Sequence, residues 1–290
     1  MKTILLLTFI CLLNTTFGNK SIANDSIKPF VLGQTREIQS TVLNEKRILN
    51  IYLPEGYKAD DTTKYSVIYL LDGSADEDFI HVAGLLQFNM FPWVNRTPKS
   101  ILVGIANVDR KRDFTFPSTV EKEKQAFPTT GHSEQFITFI EKELQPFIEK
   151  NYNTNHSKTI IGQSLGGLLA IEILFKKPTL FNQYLIISPS LWWDNGSLFK
   201  YDPVKLKDST LQTTSVYIGV GKEGAGPGDY LNTMESMANT FYEKLVMINN
   251  KKLGSHFDYM PKENHATNGH IAVYNGLLWL STLHSTPAKN

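Results

Sequence analysis

The sequence predicts an α/β protein: a mostly parallel, doubly wound sheet with antiparallel strands at its N-terminal end. Two observations predict it. Short apolar runs without polar alternation recur along the chain, as expected of strands covered on both faces by helices. Between them lie stretches with apolar residues at helical spacing, and strands alternating with helices wind a parallel sheet.

The elements follow in order. Residues 36–40 and 47–53 alternate apolar and polar at period two, with Asn44, Glu45 and Lys46 between them suited to a turn, so they open the fold as an antiparallel pair. Buried strands are expected at 66–71, 100–105, 159–161, 184–187 and 215–220, and 254–259 reads as one more. Helices are expected at 133–150, where Phe136, Ile137, Ile140, Leu144, Phe147 and Ile148 fall on one face, and at 165–176, 233–249 and 270–283. Phe88, Met90, Phe91, Pro92 and Trp93 make an apolar patch that reads either as a lid or as scaffold. No internal repeat or low-complexity tract interrupts the chain, so residues 30–284 are read as a single domain, with tails at 19–29 and 285–290.

Composition narrows the function. With 290 residues, 41% of them hydrophobic, the chain has enough apolar material for a sizeable core, which excludes disorder as its main state. Lys and Arg total 29 against 28 Asp and Glu, a balance too even to hold a nucleic acid or an anionic bilayer by charge. Met1 and Lys2, the apolar run 4–13 and Thr16-Phe17-Gly18 read as a signal peptide over residues 1–18. The run is short of the roughly 20 apolar residues that span a bilayer, so no stable membrane insertion is expected after cleavage, and the mature protein is expected to be secreted or periplasmic. Cleavage removes Cys11, the chain's single cysteine, leaving neither a disulfide, nor a cysteine-built zinc site, nor a thiol nucleophile.

Gly162-Gln163-Ser164-Leu165-Gly166 matches G-x-S-x-G, and its setting matters more than the pattern. It follows a buried strand and opens an apolar helix, the context in which a sharp turn pushes a serine hydroxyl out above the sheet. The glycines relieve crowding where strand and helix meet, and the helix N-terminus directs N–H groups toward a developing oxyanion. Ser164 is the candidate nucleophile.

Tyr69-Leu70-Leu71-Asp72-Gly73, the stretch from Ile105 to Thr115 with Arg110-Lys111-Arg112-Asp113, the elbow, and Ser188-Pro189-Ser190-Leu191-Trp192-Trp193-Asp194 together resemble the putative-esterase family of α/β-hydrolases. That family includes enterobactin and bacillibactin esterases, feruloyl and acetylxylan esterases, and S-formylglutathione hydrolases. The resemblance runs in order over nearly the whole mature chain, and the Arg-x-Arg-Asp and Ser-Pro-Ser-Leu-Trp-Trp segments look closest to the siderophore-esterase branch.

The resemblance implies an α/β-hydrolase fold with a base late in the chain. His265, in the loop Pro261-Lys262-Glu263-Asn264-His265 before the last helix, is the candidate, His270 its rival, and His256 reads as part of the preceding strand. The acid belongs just past the strand ending at Val220. Relatives place it three residues after the glycine; here that position is Gly224, so Glu223 is taken, with Asp229 or a bare Ser–His dyad as alternatives. Backbone N–H groups of Leu165 and Ser74 are the expected oxyanion donors, and Asp72 is read as fixing a turn. Trp192 and Arg110 are candidate substrate contacts. The Arg110–Asp113 segment has two readings, an anionic or catecholate site or an internal Arg112–Asp113 ion pair, and of Trp192 and Trp193 one is expected at an acyl pocket and the other in the core.

The implied function is a serine carboxylic-ester hydrolase acting on a small-molecule ester through an acyl-enzyme, with no metal or organic cofactor required. Siderophore-type trilactones are the first expected substrate, and feruloyl or acetylxylan-type esters the second. A catalytically silent binding protein on the same fold is the alternative of another class. The sequence leaves oligomeric state open.

Overall fold

The structure, a computed structural model, describes residues 27–226 and 233–284. The expected signal peptide, Cys11 and Asp229 lie outside the described residues. The described residues from 32 to 284 form one compact unit; residues 27–31 belong to a separate unit and have no regular secondary structure.

Strands β1 (Gln34–Ser40) and β2 (Glu45–Tyr52) pair antiparallel, from Gln34 opposite Ile51 to Ser40 opposite Glu45. The turn therefore occupies residues 41–44, with Asn44 at φ 52°, and Glu45 and Lys46 begin β2 instead of lying in the turn. Tertiary contacts fix this placement. Glu143 accepts the N–H groups of Thr41 and Val42 at 2.9 and 3.1 Å, and Glu45 is ion-paired to Arg47 and Arg112 at 2.6 Å each.

The remaining strands are β3 (Tyr65–Leu70), β4 (Ser100–Ile105), β5 (Thr154–Gln163), β6 (Gln183–Ile187), β7 (Thr214–Gly221) and β8 (Leu253–Met260). They make an eight-stranded sheet ordered β1-β2-β4-β3-β5-β6-β7-β8, in which β2 meets β4 antiparallel and every later pairing is parallel. Every residue of β4, β6 and β7 is buried, which is why their sequences show no alternation.

Helix α1 (Phe79–Met90) follows β3; α2 (Arg110–Phe114) and α3 (Glu121–Ala126) are short. The helix expected at 133–150 is α4 (Ser133–Phe139), a π-helical turn over Ile140–Leu144, and α5 (Gln145–Asn151), where Pro146 has no N–H to donate. Then come α6 (Leu165–Lys176), the kinked turn α7 (Trp193–Gly196), α8 (Met234–Met247) and α9 (Asn268–His284). One face of the sheet buries a core shared with α4, α5, α6 and α8, and the other a core shared with α1 and α9. Met90 is buried in the second core while Phe91 and Trp93 stack at 4.5 Å with Trp93 exposed, so the apolar patch at 88–93 is partly scaffold.

Connections leave β3 toward β4 on one side and return to β5 on the other. Open α/β sheets bind ligands at such a reversal, outside the carboxyl ends of the strands. The chain ends at that crevice are Asp72-Gly73-Ser74 after β3 and Ser164 after β5.

Candidate active site

Ser164 sits between β5 and α6 at φ 59° and ψ −118°, a conformation that costs a non-glycine residue about 1–3 kcal/mol. Its neighbours hold it there: its N–H donates to the Ile187 carbonyl, and its own carbonyl accepts from the N–H groups of Leu168 and Ser190, each at 3.0 Å. A Cβ on Gly162 would lie 2.4 Å from the Gly166 carbonyl oxygen, so this glycine is obligatory. A Cβ on Gly166 would make only ordinary contacts, the nearest at 3.4 Å to Leu71; the crowding on that side falls on Gly167, whose Cβ would lie 3.0 Å from Pro189 Cα. Ser164 Oγ lies 3.3 Å from Ser190 Oγ. Leu165, the first residue of α6, carries an N–H with no partner inside its helix.

His265 and Glu223 come together from separate loops. Glu223 lies two residues past β7, His265 in the β8–α9 loop, and Glu223 Oε2 is 2.6 Å from His265 Nδ1. The carboxylate is 1% exposed and the imidazole 46%. Glu223 Oε1 accepts from the Gly221 N–H at 3.0 Å, from Asn268 Nδ2 at 2.8 Å and from the Ser188 hydroxyl. Burial pushes this carboxyl upward, but the hydrogen bonds from His265, Ser188 and Gly221 outweigh it and hold Glu223 below the ordinary glutamate value. Glu223 is thus ionised at neutral pH and accepts the Nδ1–H, leaving Nε2 as the imidazole's free lone pair. The two loops are pressed together: Lys222 N–H donates to the Glu263 carbonyl at 2.7 Å, and a Cβ on Gly221 would meet that same oxygen at 2.7 Å.

The rival histidines lie elsewhere. His270 packs edge-on against His81 at 3.9 Å, lining a separate cavity with Asp78 and Gln163, and His256 lies in β8, stacked between Tyr217 and Trp279.

Ser164, Ser190, Trp192, Glu223, Ala225, Gly226, Met234 and His265 line one open cavity of about 170 Å³. Trp192 forms its wall, while Trp193 is buried in the core with its indole N–H donating to the Phe116 carbonyl at 2.9 Å. Ser74 N–H faces Glu77 Oε2 at a long 3.4 Å. The Arg110 guanidinium forks onto Asp72, 2.6 Å to Oδ1 and 2.9 Å to Oδ2, and reaches the Gln163 carbonyl at 3.2 Å. Arg112 pairs with Asp113 at 2.8 Å inside a larger cluster with Glu45 and the fully buried Arg47. Among the described residues no group of three or more His, Cys, Asp or Glu is arranged to hold a metal, and no helix is long and apolar enough to cross a membrane.

The sequence reading gave no role to four residues that hold the site together: Gln163, Ser188 and Ser190, quoted there only within motifs, and Asn268. Gln163 Nε2 donates to the His265 carbonyl at 2.6 Å and to Asn268 Oδ1 at 3.1 Å, tying the elbow to the β8–α9 loop and the start of α9. Their partners are distant in sequence, so no local spacing announces them.

A family model described as "Putative esterase" matches residues 40–271, most of the chain. The chain belongs to this esterase family. The ferri-bacillibactin esterase BesA of Bacillus subtilis is 28% identical to this esterase over 245 residues, 79% of this chain and 82% of that protein. The solved IroE-like serine hydrolase from Shewanella oneidensis is 33% identical, with a TM-score of 0.80 over 88% of this chain and 81% of that one. The BES protein from Bacillus cereus is 28% identical, with a TM-score of 0.75 over 88% of this chain and 97% of that one. The esterase has the α/β-hydrolase fold, with antiparallel strands at the N-terminal edge of an otherwise parallel sheet.

Proposed function

We propose that this esterase is an exported serine hydrolase that cleaves siderophore-type trilactone esters through an acyl-enzyme. The observation that carries the chemistry is the Glu223–His265 pair, 2.6 Å apart, opening onto the same cavity as the strained Ser164. In this mechanism His265 Nε2 takes the Ser164 hydroxyl proton as Oγ bonds to the ester carbonyl carbon. The oxyanion is received by the N–H groups of Leu165 and Ser74, the second exchanging its long contact to Glu77 for the substrate. Collapse expels the alcohol oxygen, which takes the proton from the imidazolium. Water, deprotonated by the same imidazole, then releases the acid and restores Ser164.

The substrate class rests on the likeness to the ferri-bacillibactin esterase over most of both chains. A cavity of about 170 Å³ admits the reacting ester and a short acyl or alkyl arm, so the bulk of a trilactone stays outside it, against the rim. Export rests on the leader read from residues 1–18. The test is release of p-nitrophenol from acetate and butyrate esters by the wild type beside Ser164→Ala, followed by a ferric trilactone siderophore, methyl ferulate and acetylated xylan offered in parallel. Equal rates in wild type and Ser164→Ala end the serine mechanism, and preference for ferulate or xylan ends the siderophore assignment.

A further inference from the structure

Arg110 follows a strand at the ligand-binding edge of the sheet, where a cation invites a role in holding an anionic substrate. Its hydrogen bonds assign it elsewhere. Both oxygens of Asp72 are engaged by the fork, in the bidentate geometry that gives arginine–carboxylate pairs their directional strength. Asp72 sits at φ 53°, two residues before Ser74, and Asn107 Nδ2 donates to its Oδ1 at 2.8 Å. The Arg110 group that touches Asp72 Oδ2 also reaches the carbonyl of Gln163, the residue before Ser164. The guanidinium also lies over the Phe114 ring, 5.5 Å from its centroid. One side chain therefore joins the loop bearing the Ser74 N–H to the elbow bearing the Leu165 N–H.

We infer that Arg110 is a positioning residue that sets the spacing between the two oxyanion donors, and that it is not a contact for substrate charge. This rests on the reading of Ser164 as nucleophile with Leu165 and Ser74 as donors. Loss of the strut frees the β3 loop to drift from the elbow, and misplacement of a transition-state donor lowers turnover while ground-state binding is preserved.

The experiment compares Arg110→Met, Arg110→Lys, Asp72→Asn and Ser164→Ala on p-nitrophenyl butyrate, an uncharged substrate, with inhibition by phenylboronic acid as a mimic of the tetrahedral adduct. Arg110→Met is expected to lower kcat by about 100-fold with KM within about threefold, and to weaken boronate inhibition in proportion to kcat/KM. Arg110→Lys, a point charge without the fork, recovers roughly tenfold of that loss. Asp72→Asn, which keeps the shape of the loop, reproduces the fall in kcat and decides the matter if Arg110→Met does not fold. A raised KM at unchanged kcat, or wild-type boronate affinity in the Arg110 and Asp72 variants, overturns the inference. If those variants are fully active while Ser164→Ala is dead, only this inference fails; if Ser164→Ala retains the wild-type rate, the serine reading fails first.

Discussion

Replacing Glu223 by glutamine isolates what the carboxylate does for the imidazole. The three donors around Oε1 decide how the amide sits. Gly221 N–H and Asn268 Nδ2 can only donate, at 3.0 and 2.8 Å, so the amide oxygen must take the Oε1 site and the NH2 must face His265 Nδ1. An Nδ1–H would then oppose another donor, and the imidazole relieves this by moving its proton to Nε2, the nitrogen that must accept from Ser164. The corresponding aspartate-to-asparagine change in a serine-protease triad lowers turnover roughly 10⁴-fold for this reason, about 5 kcal/mol of barrier. Because the carboxylate is 1% exposed and the imidazole 46%, the pair is partly solvated and a fall of about 10³- to 10⁴-fold in kcat at neutral pH is expected. The melting temperature should fall modestly, since every donor around Oε1 keeps an acceptor but the stabilisation from the depressed carboxylate is lost. The assay is steady-state hydrolysis of p-nitrophenyl butyrate together with thermal unfolding followed by circular dichroism. A folded Glu223→Gln enzyme within tenfold of wild type would mean that Ser164 and His265 work as a dyad and that the tautomer argument is wrong.

Other consequences are equally measurable. Ser164→Gly removes a strained side-chain residue at φ 59° and should raise stability by about 1 kcal/mol after the added chain entropy of glycine is subtracted, while abolishing activity; a lower melting temperature would contradict the strain. Gly162→Ala puts a methyl group 2.4 Å from a backbone oxygen and should cost about 3 kcal/mol or prevent soluble expression, as read by denaturant unfolding. Trp192→Ala opens the wall of the cavity and should raise the octanoate-to-acetate rate ratio on p-nitrophenyl esters by roughly tenfold; an unchanged ratio would place the acyl chain elsewhere. Glu235, like Glu223, is held below the ordinary glutamate value: burial pushes it up, but backbone N–H groups, including those of Gly224 and Glu223, outweigh it. A depressed carboxylate contributes stability above its unfolded value and loses it as pH falls through the folded one, so the melting-temperature gap between wild type and Glu235→Gln should narrow below about pH 4.5. A gap that widens on acidification would reverse the sign.

Elements with a strong local signal were legible. Helix α6 begins and ends where its sequence places it, because an elbow precedes it and its apolar run is continuous. Helix α1 was not, since Ile80 and Phe88 are exposed on its outer face while Val82, Ala83 and Leu86 are buried on the inner one, which leaves little contrast between faces. In the candidate site, Ser164 was singled out by its strand–turn–helix setting, whereas Glu223 and His265 were picked from the loops after β7 and β8 through the family resemblance. Ser188 and Asn268 were marked by neither: Asn268 is completely buried, donates to both Ser188 and Glu223, and looks in sequence like any polar residue opening a helix. The strut from Arg110 to Asp72 was hidden for a similar reason, as its ends are far apart in the chain and meet only because β3 and β4 are neighbours.

The sheet register explains how Ser164, Glu223 and His265 come to line one cavity although β6 lies between the strands that precede Ser164 and Glu223, and β6 and β7 between those that precede Ser164 and His265. Gln163 at the end of β5 is opposite Ile187 of β6, Ile187 is opposite Gly219 of β7, and β7 runs two residues further to Gly221, opposite Met260 of β8. The carboxyl ends therefore climb from β5 toward β8, and the loops bearing Glu223 and His265 start above the level of Ser164. The end of β6 fills the step: Ser188, at φ 42°, donates upward to Glu223, while Ser190 bonds sideways to the Ser164 carbonyl and hydroxyl. The spacing of the chemical groups is thus set by the strand register and by one short segment at the end of β6. Trp192 and Ala225 project from loops and Met234 from the first turn of α8, none of them fixed by the register, so the cavity wall can change while the Glu223–His265 pair keeps its geometry. On this reasoning, exchanging those three side chains redirects the acyl preference of the enzyme, whereas a substitution at Ser188 or Ser190 reaches the chemistry itself.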